Sequence, residues 1–286
     1  MKSNFILFLL VTFILSPLRA ESLNIQAETI SIDKDTKLTI FKDKVVATDD
    51  KNNIFETEYA IFDKKLKKLN SKGKTTLTTS EGYVLKGANI FFDNQNNVIS
   101  SKDPAIITDF DGNNIYLENF EYLTKNKFFK SVGNIKVIDI KNNSYNFSQI
   151  FIDEKKKEIV GTDIKAFLNQ KSFKVNEENK PRVFANTIKF DEKENEFTKS
   201  IFTLCDYRKN DACPPWSIQA SKMKHNKTNK TIYYDNAVIK VYDIPIFYTP
   251  KLSHPDPTVA RRSGFLPPTF SDSKNLGSGF KIPYFW

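Results

Sequence analysis

The chain reads as an all-β protein, and three observations carry that reading. Its body repeats every thirty residues, its apolar residues stand two apart, and turn formers separate the apolar runs. The tripeptides Ser31-Ile32-Asp33, Ile61-Phe62-Asp63, Phe91-Phe92-Asp93, Glu121-Tyr122-Leu123 and Phe151-Ile152-Asp153 mark the step. All but the fourth end in Asp, where Leu123 stands instead. A second register keeps the same step through Lys42-Asp43, Lys72-Gly73, Lys102-Asp103, Val132-Gly133 and Thr162-Asp163, which read as turn pairs. Self-similarity at this period indicates stacked units, each burying its apolar face only against its neighbours.

Within each unit the alternation recurs in three sets. Ile30 with Ile32, Ala60 with Phe62, Ile90 with Phe92, Phe120 with Tyr122 and Ile150 with Ile152 precede the Asp position. Val45 with Ala47, Leu77, Ala105 with Ile107, Ile135 with Val137 and Phe167 follow the second register. Phe55, Leu85, Ile115 with Leu117, and Tyr145 with Phe147 form the third set. A period of two puts such residues on one face of a pleated strand. Clusters such as Asp49-Asp50-Lys51-Asn52-Asn53, Asp111-Gly112-Asn113-Asn114 and Lys141-Asn142-Asn143 interrupt the strands as turns. The pattern therefore predicts about three short strands per repeat and essentially no helix. Lys189-Phe190-Asp191 and Tyr233-Tyr234-Asp235 keep the phrase at longer spacing, after an insertion near 176–181. A closed barrel, a β-helix and a folded-over jelly roll all suit such strands, and the apolar face reads equally as a dry core or a groove.

The N-terminus indicates export. Lys2 precedes the apolar run Phe5 to Leu15, Ser16 and Pro17 break it, and Ala20 offers a small residue for cleavage. That run is short for a bilayer span, so residues 1–20 read as a signal peptide. Without them the formal charge of +9 falls to +7, since Lys2 and Arg19 leave and no acid does. A basic exported surface fits an anionic partner, although lysines and asparagines spread along solvated turns account for it better. Nucleic acid does not fit the compartment. Cys205 and Cys213, the two cysteines of the chain, form a disulfide candidate in an oxidising compartment. With two histidines and no further sulfur, no metal site is expected.

From residue 203 the style changes. Pro214-Pro215-Trp216-Ser217-Ile218-Gln219-Ala220 reads as a strand after a rigid entry and Thr231 to Tyr242 as another, whereas Ile244-Pro245-Ile246-Phe247-Tyr248-Thr249-Pro250 and Ser253-His254-Pro255-Asp256-Pro257 are proline-marked and read as an extended connector. Beyond Arg261-Arg262-Ser263-Gly264-Phe265-Leu266-Pro267-Pro268, the residues Phe280, Ile282, Tyr284 and Trp286 alternate as in a membrane-barrel strand. One such strand cannot close a barrel, so the expectation is a chain that stops in mid-structure.

These residues resemble the LptD family, the OstA or organic solvent tolerance proteins of lipopolysaccharide assembly. The repeat resembles the OstA-like domain over about residues 24–170. A tighter likeness lies in Cys205, Trp216 with Ala220, Pro245 with Tyr248 and Pro250, Arg261 to Leu266 with Pro268, and Pro283 to Trp286. The resemblance implies a periplasmic β-jelly-roll, the OstA-like β-taco, over residues 21–200. Residues 201–260 would end it and form the connector, and 261–286 would begin a transmembrane β-barrel. It further implies lipopolysaccharide acyl chains in an apolar groove, with Ile32, Phe62, Phe92, Ile107, Ile115, Leu117, Tyr122, Val137, Phe147 and Ile152 as candidate lining residues. The implied partners are lipopolysaccharide, an LptE-like lipoprotein, an LptA-like bridge at the N-terminal edge, and the outer membrane through the barrel. In some members N-terminal cysteines join cysteines of the barrel, so the pairing of Cys205 and Cys213 stays open.

No catalytic constellation stands out, and no cofactor is expected. The chain has no Gly-x-Ser-x-Gly, no His-Glu-x-x-His and no phosphate-binding glycine loop. Asp33, Asp63, Asp93 and Asp153 sit where strands meet turns, which favours turn capping. His254 near Asp256 reads as structural. Competing readings are a soluble LptA- or LptC-like bridge, a glycan-acting enzyme on a β-solenoid, and an adhesin. The proline connector and the apolar terminal strand weigh against the first, and charge confined to turns weighs against the second.

Overall fold

The computed structural model describes residues 24–50, 52–169, 181–203, 216–255, 259, 263–265, 269–273, 277–281 and 283–285. The expected signal peptide and both cysteines lie outside these residues, as does most of the insertion near 176–181. β1 (Asn24–Gln26) and β2 (Thr29–Ile32) lie in line against β3 (Thr39–Thr48), followed by β4 (Ile54–Asp63) and β5 (Lys68–Thr78). The next three passes are each interrupted at mid-length. They are β6 (Val84–Ala88) with β7 (Phe91–Asp93), β8 (Val98–Ser101) with β9 (Ala105–Thr108), and β10 (Asn114–Leu117) with β11 (Phe120–Leu123). Unbroken strands then follow as β12 (Phe128–Ile138), β13 (Ser144–Asp153), β14 (Glu158–Phe167) and β15 (Arg182–Phe190). The series ends with β16 (Glu194–Thr203), β17 (Trp216–Asn226), β18 (Thr231–Val241) and β19 (Ile244–Pro255). These 19 strands form one antiparallel sheet.

Two long passes per repeat replace the three short strands that the pattern predicts. The reason is a crease across the middle of every pass. Buried residues flank it at spacings of three, as in Thr57 and Ala60, Leu117 and Phe120, Phe147 and Ile150, or Tyr234 and Ala237. In the alternate passes up to β12 the spacing is four, as in Phe41 and Val45, Ser71 and Thr75, Ser101 and Ala105, or Ser131 and Ile135. A spacing of three flips the parity of the alternation, so one strand reads as two runs. Register slips at Lys42/Val45, Thr57/Tyr59 and Val132/Ile135 mark the same line.

The second sequence register therefore lies in the crease, within a pass rather than at its end: Lys42-Asp43, Lys72-Gly73, Val132-Gly133 and Thr162-Asp163 fall inside strands, and Lys102-Asp103 falls in the break between β8 and β9. Asp43, Gly73, Gly133 and Asp163 have φ of 62°, 78°, 119° and 53° there, the left-handed region that Gly and Asp tolerate. Side chains replace the ladder bonds lost at the crease. Ser71 Oγ accepts from Ile90 N at 2.8 Å, and Ser101 and Ser131 donate to Ala88 O at 2.8 Å and Asn119 O at 2.6 Å.

The crease divides the sheet into two walls, each ending in a rim of turns. On the first rim Asp33, Asp63, Asp93 and Asp153 cap their turns as the sequence indicates, each Oδ1 accepting backbone N–H groups at 2.9–3.1 Å. On the second rim Asp49, Asp109 and Asp139 hold Asn53, Asn113 and Asn143, through both backbone and side chain. Asn53, Asn113 and Asn143 in turn accept from Ser80 N, Ile140 N and Asn169 N, so each turn is tied to the next.

Beyond the sheet, β20 (Gly264–Phe265) pairs with β23 (Tyr284–Phe285), and β21 (Thr269–Ser273) pairs with β22 (Gly277–Lys281). The two pairings nest into one hairpin.

Candidate functional site

The inner face is built from cross-strand rows, because residues opposite each other on neighbouring strands share a face. On the second wall the row runs Ile25, Ala47, Phe55, Leu77, Leu85, Ile107, Ile115, Val137, Tyr145, Ala166, Val183, Phe202, Ile218, Ile239 and Phe247. Every member is apolar or aromatic, from the first strand to the last. On the first wall Ile32 and Thr39 lead into Phe62, Leu69, Phe92, Ile99, Tyr122, Phe129, Ile152, Ile159 and Phe190. That row then turns polar with Asn195 and His225.

The candidate lining residues fall on this face. Leu117 and Phe147 are buried beside the crease. Phe62, Phe92, Ile107, Ile115, Tyr122, Val137 and Ile152 are partly buried and pack on the core. Ile32 pairs into the same row, yet it is 68% exposed, because β2 is the end of the sheet. At the opposite end Phe247 is 55% exposed on β19. The inner face is covered in the middle and open at both ends.

The walls meet across the interior. The rings of Phe55 on the second wall and Phe92 on the first lie 5.0 Å apart, edge to face. Phe147 covers Gly161, where an added Cβ would come within 2.5 Å of the ring. The rims meet too. Lys127 Nζ on the first rim is 4.0 Å from Glu81 Oε1 on the second, and 4.0 Å from Glu154 Oε2 on its own rim. In a flat sheet these turns would stand at least about 33 Å apart, the length of a ten-residue strand. The sheet is therefore folded over its crease.

Two tyrosines line the interior with their rings and reach the rims with their hydroxyls. Tyr122 donates to Glu154 Oε2 and Tyr145 to Asp139 Oδ2, both at 3.2 Å. Burial, reinforced by the neighbouring carboxylate, raises both phenol pKa values well above the ordinary range. His254 is structural in the same way. Its Nδ1 lies 2.7 Å from Pro255 O and its Nε2 2.9 Å from the hydroxyl of buried Tyr234, so an Nδ1–H tautomer donates to the carbonyl and accepts from the phenol. Asp256 lies outside the described residues.

A concavity on β17–β19 is lined by Lys222, Lys224, Tyr233, Asp235 and Lys251. Its lysines are ion-paired with Glu196, Glu194 and Asp235 at 2.5–2.7 Å, so it offers an anion no free cation. Among the described residues, no group of three His, Cys, Asp or Glu side chains could hold a metal ion.

Comparison with known proteins supplies the relationship. The LPS-assembly protein LptD of Shewanella oneidensis is 38% identical over 78 residues, 26% of this chain and 10% of that protein. Over that stretch the chain is LptD-like. LptD of Pasteurella multocida is 36% identical over 89 residues, 31% of this chain and 11% of its own. LptD of Yersinia pestis is 35% identical over 71 residues, 25% of this chain and 9% of its own. The matched stretch thus spans about a tenth of each LptD. No protein-family model matches. A solved structure of LptH, the LptA homologous periplasmic component of a lipopolysaccharide transport device from Pseudomonas aeruginosa, aligns over 47% of this chain and 78% of its own. Its identity is 14% and its TM-score 0.23.

The LptD likeness leaves individual side chains to the geometry. The sequence reading stops naming lining residues at Ile152, because the thirty-residue phrase loosens there. The register carries the row on through Val183, Phe202, Ile218, Ile239 and Phe247. Their spacings along the chain, 19, 16, 21 and 8 residues, follow no fixed period, so strand pairing and not a count reveals them.

Proposed function

We propose that this chain carries lipopolysaccharide, with acyl chains against the inner face between the two walls and the glycan outside the mouth. One observation carries the reading: the apolar row from Ile25 to Phe247 is unbroken, and inner-face side chains lie open at both ends of the sheet, Ile32 on the first wall and Phe247 on the second. A core made only for stability has no reason to stay apolar and uncovered where the sheet ends. The likeness to proteins named for LPS assembly supplies the ligand class.

In this proposal residues 1–20 direct export and 21–260 form the periplasmic carrier and connector. The hairpin of 264–285 begins an outer-membrane barrel that receives the ligand. An LptA-like bridge would add to the free edge of β1 and β2, and an LptE-like lipoprotein would serve the barrel. The chain's part is transfer without bond making or breaking.

Photo-crosslinking tests the proposal. Benzoylphenylalanine at Phe92, Ile107 or Phe147 should capture lipopolysaccharide in cells. At Ile106 or Tyr116, which alternate to the outer face, it should not. Equal capture at both sets contradicts an interior path, and capture at neither contradicts carriage.

A further inference from the structure

Among the described residues, the turns of the two rims carry opposite charge. The first-rim turns 33–37, 63–67, 93–97, 123–127, 153–157, 191–193 and 226–230 hold thirteen lysines against eight acids. The second-rim turns 49–53, 79–83, 109–113 and 139–143 hold six acids against two lysines. Each rim commits most of its Asp carboxylates to capping its own turns. Lysine arms on the first rim stay exposed, among them Lys64, Lys65 and Lys67. Where the rims touch, they touch through opposite charges, Lys127 against Glu81.

That contact is built to be exchanged. The Lys127 and Glu81 side chains are 49% and 67% exposed, and 4.0 Å is a loose ion pair. Loose, solvated pairs hold weakly and give way to a better partner. A phosphate is such a partner for a lysine, since it carries more charge and more acceptor oxygens than a carboxylate. An amphiphile with its chains against the inner face must leave its polar head at the mouth, because burying phosphate or sugar without partners is costly. The head then lies between a basic rim and an acidic one.

We infer that the first rim is a docking row for the phosphate-bearing head group, and that Lys127 exchanges Glu81 for a phosphate as the mouth opens. The inference rests on the proposed carriage of lipopolysaccharide and adds to it a side, an orientation and a latch. The glycolipid's phosphates face the turns at 63–67 and 123–127. Its unphosphorylated portion faces the acidic turns at 79–83 and 109–113. Successive first-rim turns are two strands apart, roughly 10 Å, so one head group can pass from turn to turn without releasing all its contacts.

The test uses the chain with benzoylphenylalanine at Phe147 and two probes, purified lipopolysaccharide and the same material with its lipid phosphates removed. Wild-type chain should capture the phosphorylated probe about tenfold better, the factor expected of one charge-assisted contact. Lys127→Gln should at least halve that preference, and Lys127→Gln combined with Lys64→Gln, Lys65→Gln and Lys67→Gln should bring the two probes to within about twofold of each other, since the exposed cations of the row are then gone. Glu81→Gln should raise capture of the phosphorylated probe and keep the preference, since the latch is released and the cation stays. Equal capture of both probes by wild type overturns the inference, as does a preference that Lys127→Gln leaves unchanged or that survives the combined variant. Failure of every form to capture either probe contradicts carriage itself, a different outcome from loss of the preference.

Discussion

The middle of the sheet and its two ends carry the same kind of inner-face residue in different states. Around β12 and β13, Ile135 and Ile150 are 2% and 3% exposed, roofed by the opposite wall and flanked by strands on both sides. On β2 Ile30, which the thirty-residue step aligns with Ile150, is 55% exposed, and Ile32 beside it and Phe247 on β19 also lie largely in solvent. The difference teaches that burial here is a property of the stack and not of the unit. Each pass hides its row only when a neighbour and the facing wall are both present. A carrier needs both states, a covered middle to shield acyl chains and open ends to receive and release them.

Substitutions break the comparison most sharply in the middle. Ile150→Ala leaves a cavity beside the crease and should cost about 2–5 kcal/mol, read as a lowered denaturation midpoint. Acid acts next, at the rims. The Asp93 carboxyl is held below the ordinary carboxylate range, first by the Asn96 side chain and then by the Asn96 N–H and Lys68. A depressed carboxylate stabilises the fold above its unfolded value of about 3.9 and loses that contribution as pH falls through the lowered value. The stability gap between wild type and Asp93→Asn should therefore be present at neutral pH and close in acid. A gap of the same size in both would refute the capping account. Smallest is Ile32→Ala, which should stay within about 0.5 kcal/mol because the side chain is already solvated.

The Asp caps and the candidates from Phe62 to Ile152 were legible because a thirty-residue phrase and a period of two report local geometry directly. The crease was not. At Thr57 to Ala60 and Phe147 to Ile150 the alternation changes parity, and a parity change looks like a strand end. Lys72-Gly73 and Val132-Gly133 likewise look like turns, because the left-handed backbone that favours Gly in a turn is also what creases a strand. The opposed charges of the rims were present in the turn compositions. Their meaning required knowing which turns share a rim, and only the two-pass repeat supplies that. His254 shows the converse: its setting beside Pro255 already pointed to structure, and Tyr234 is the partner that the sequence does not reveal.

The most direct test is the distance between the rims in solution. Spin labels on genetically encoded ketone residues at Ser80 and Asn126, with Cys205 and Cys213 left native, report it by dipolar spectroscopy. The folded-over sheet predicts a narrow distribution below about 20 Å, set by touching rims plus two label arms, that lengthens when lipopolysaccharide is added. A distance of about 33 Å or more in the ligand-free chain, the span of an uncreased strand, would contradict it.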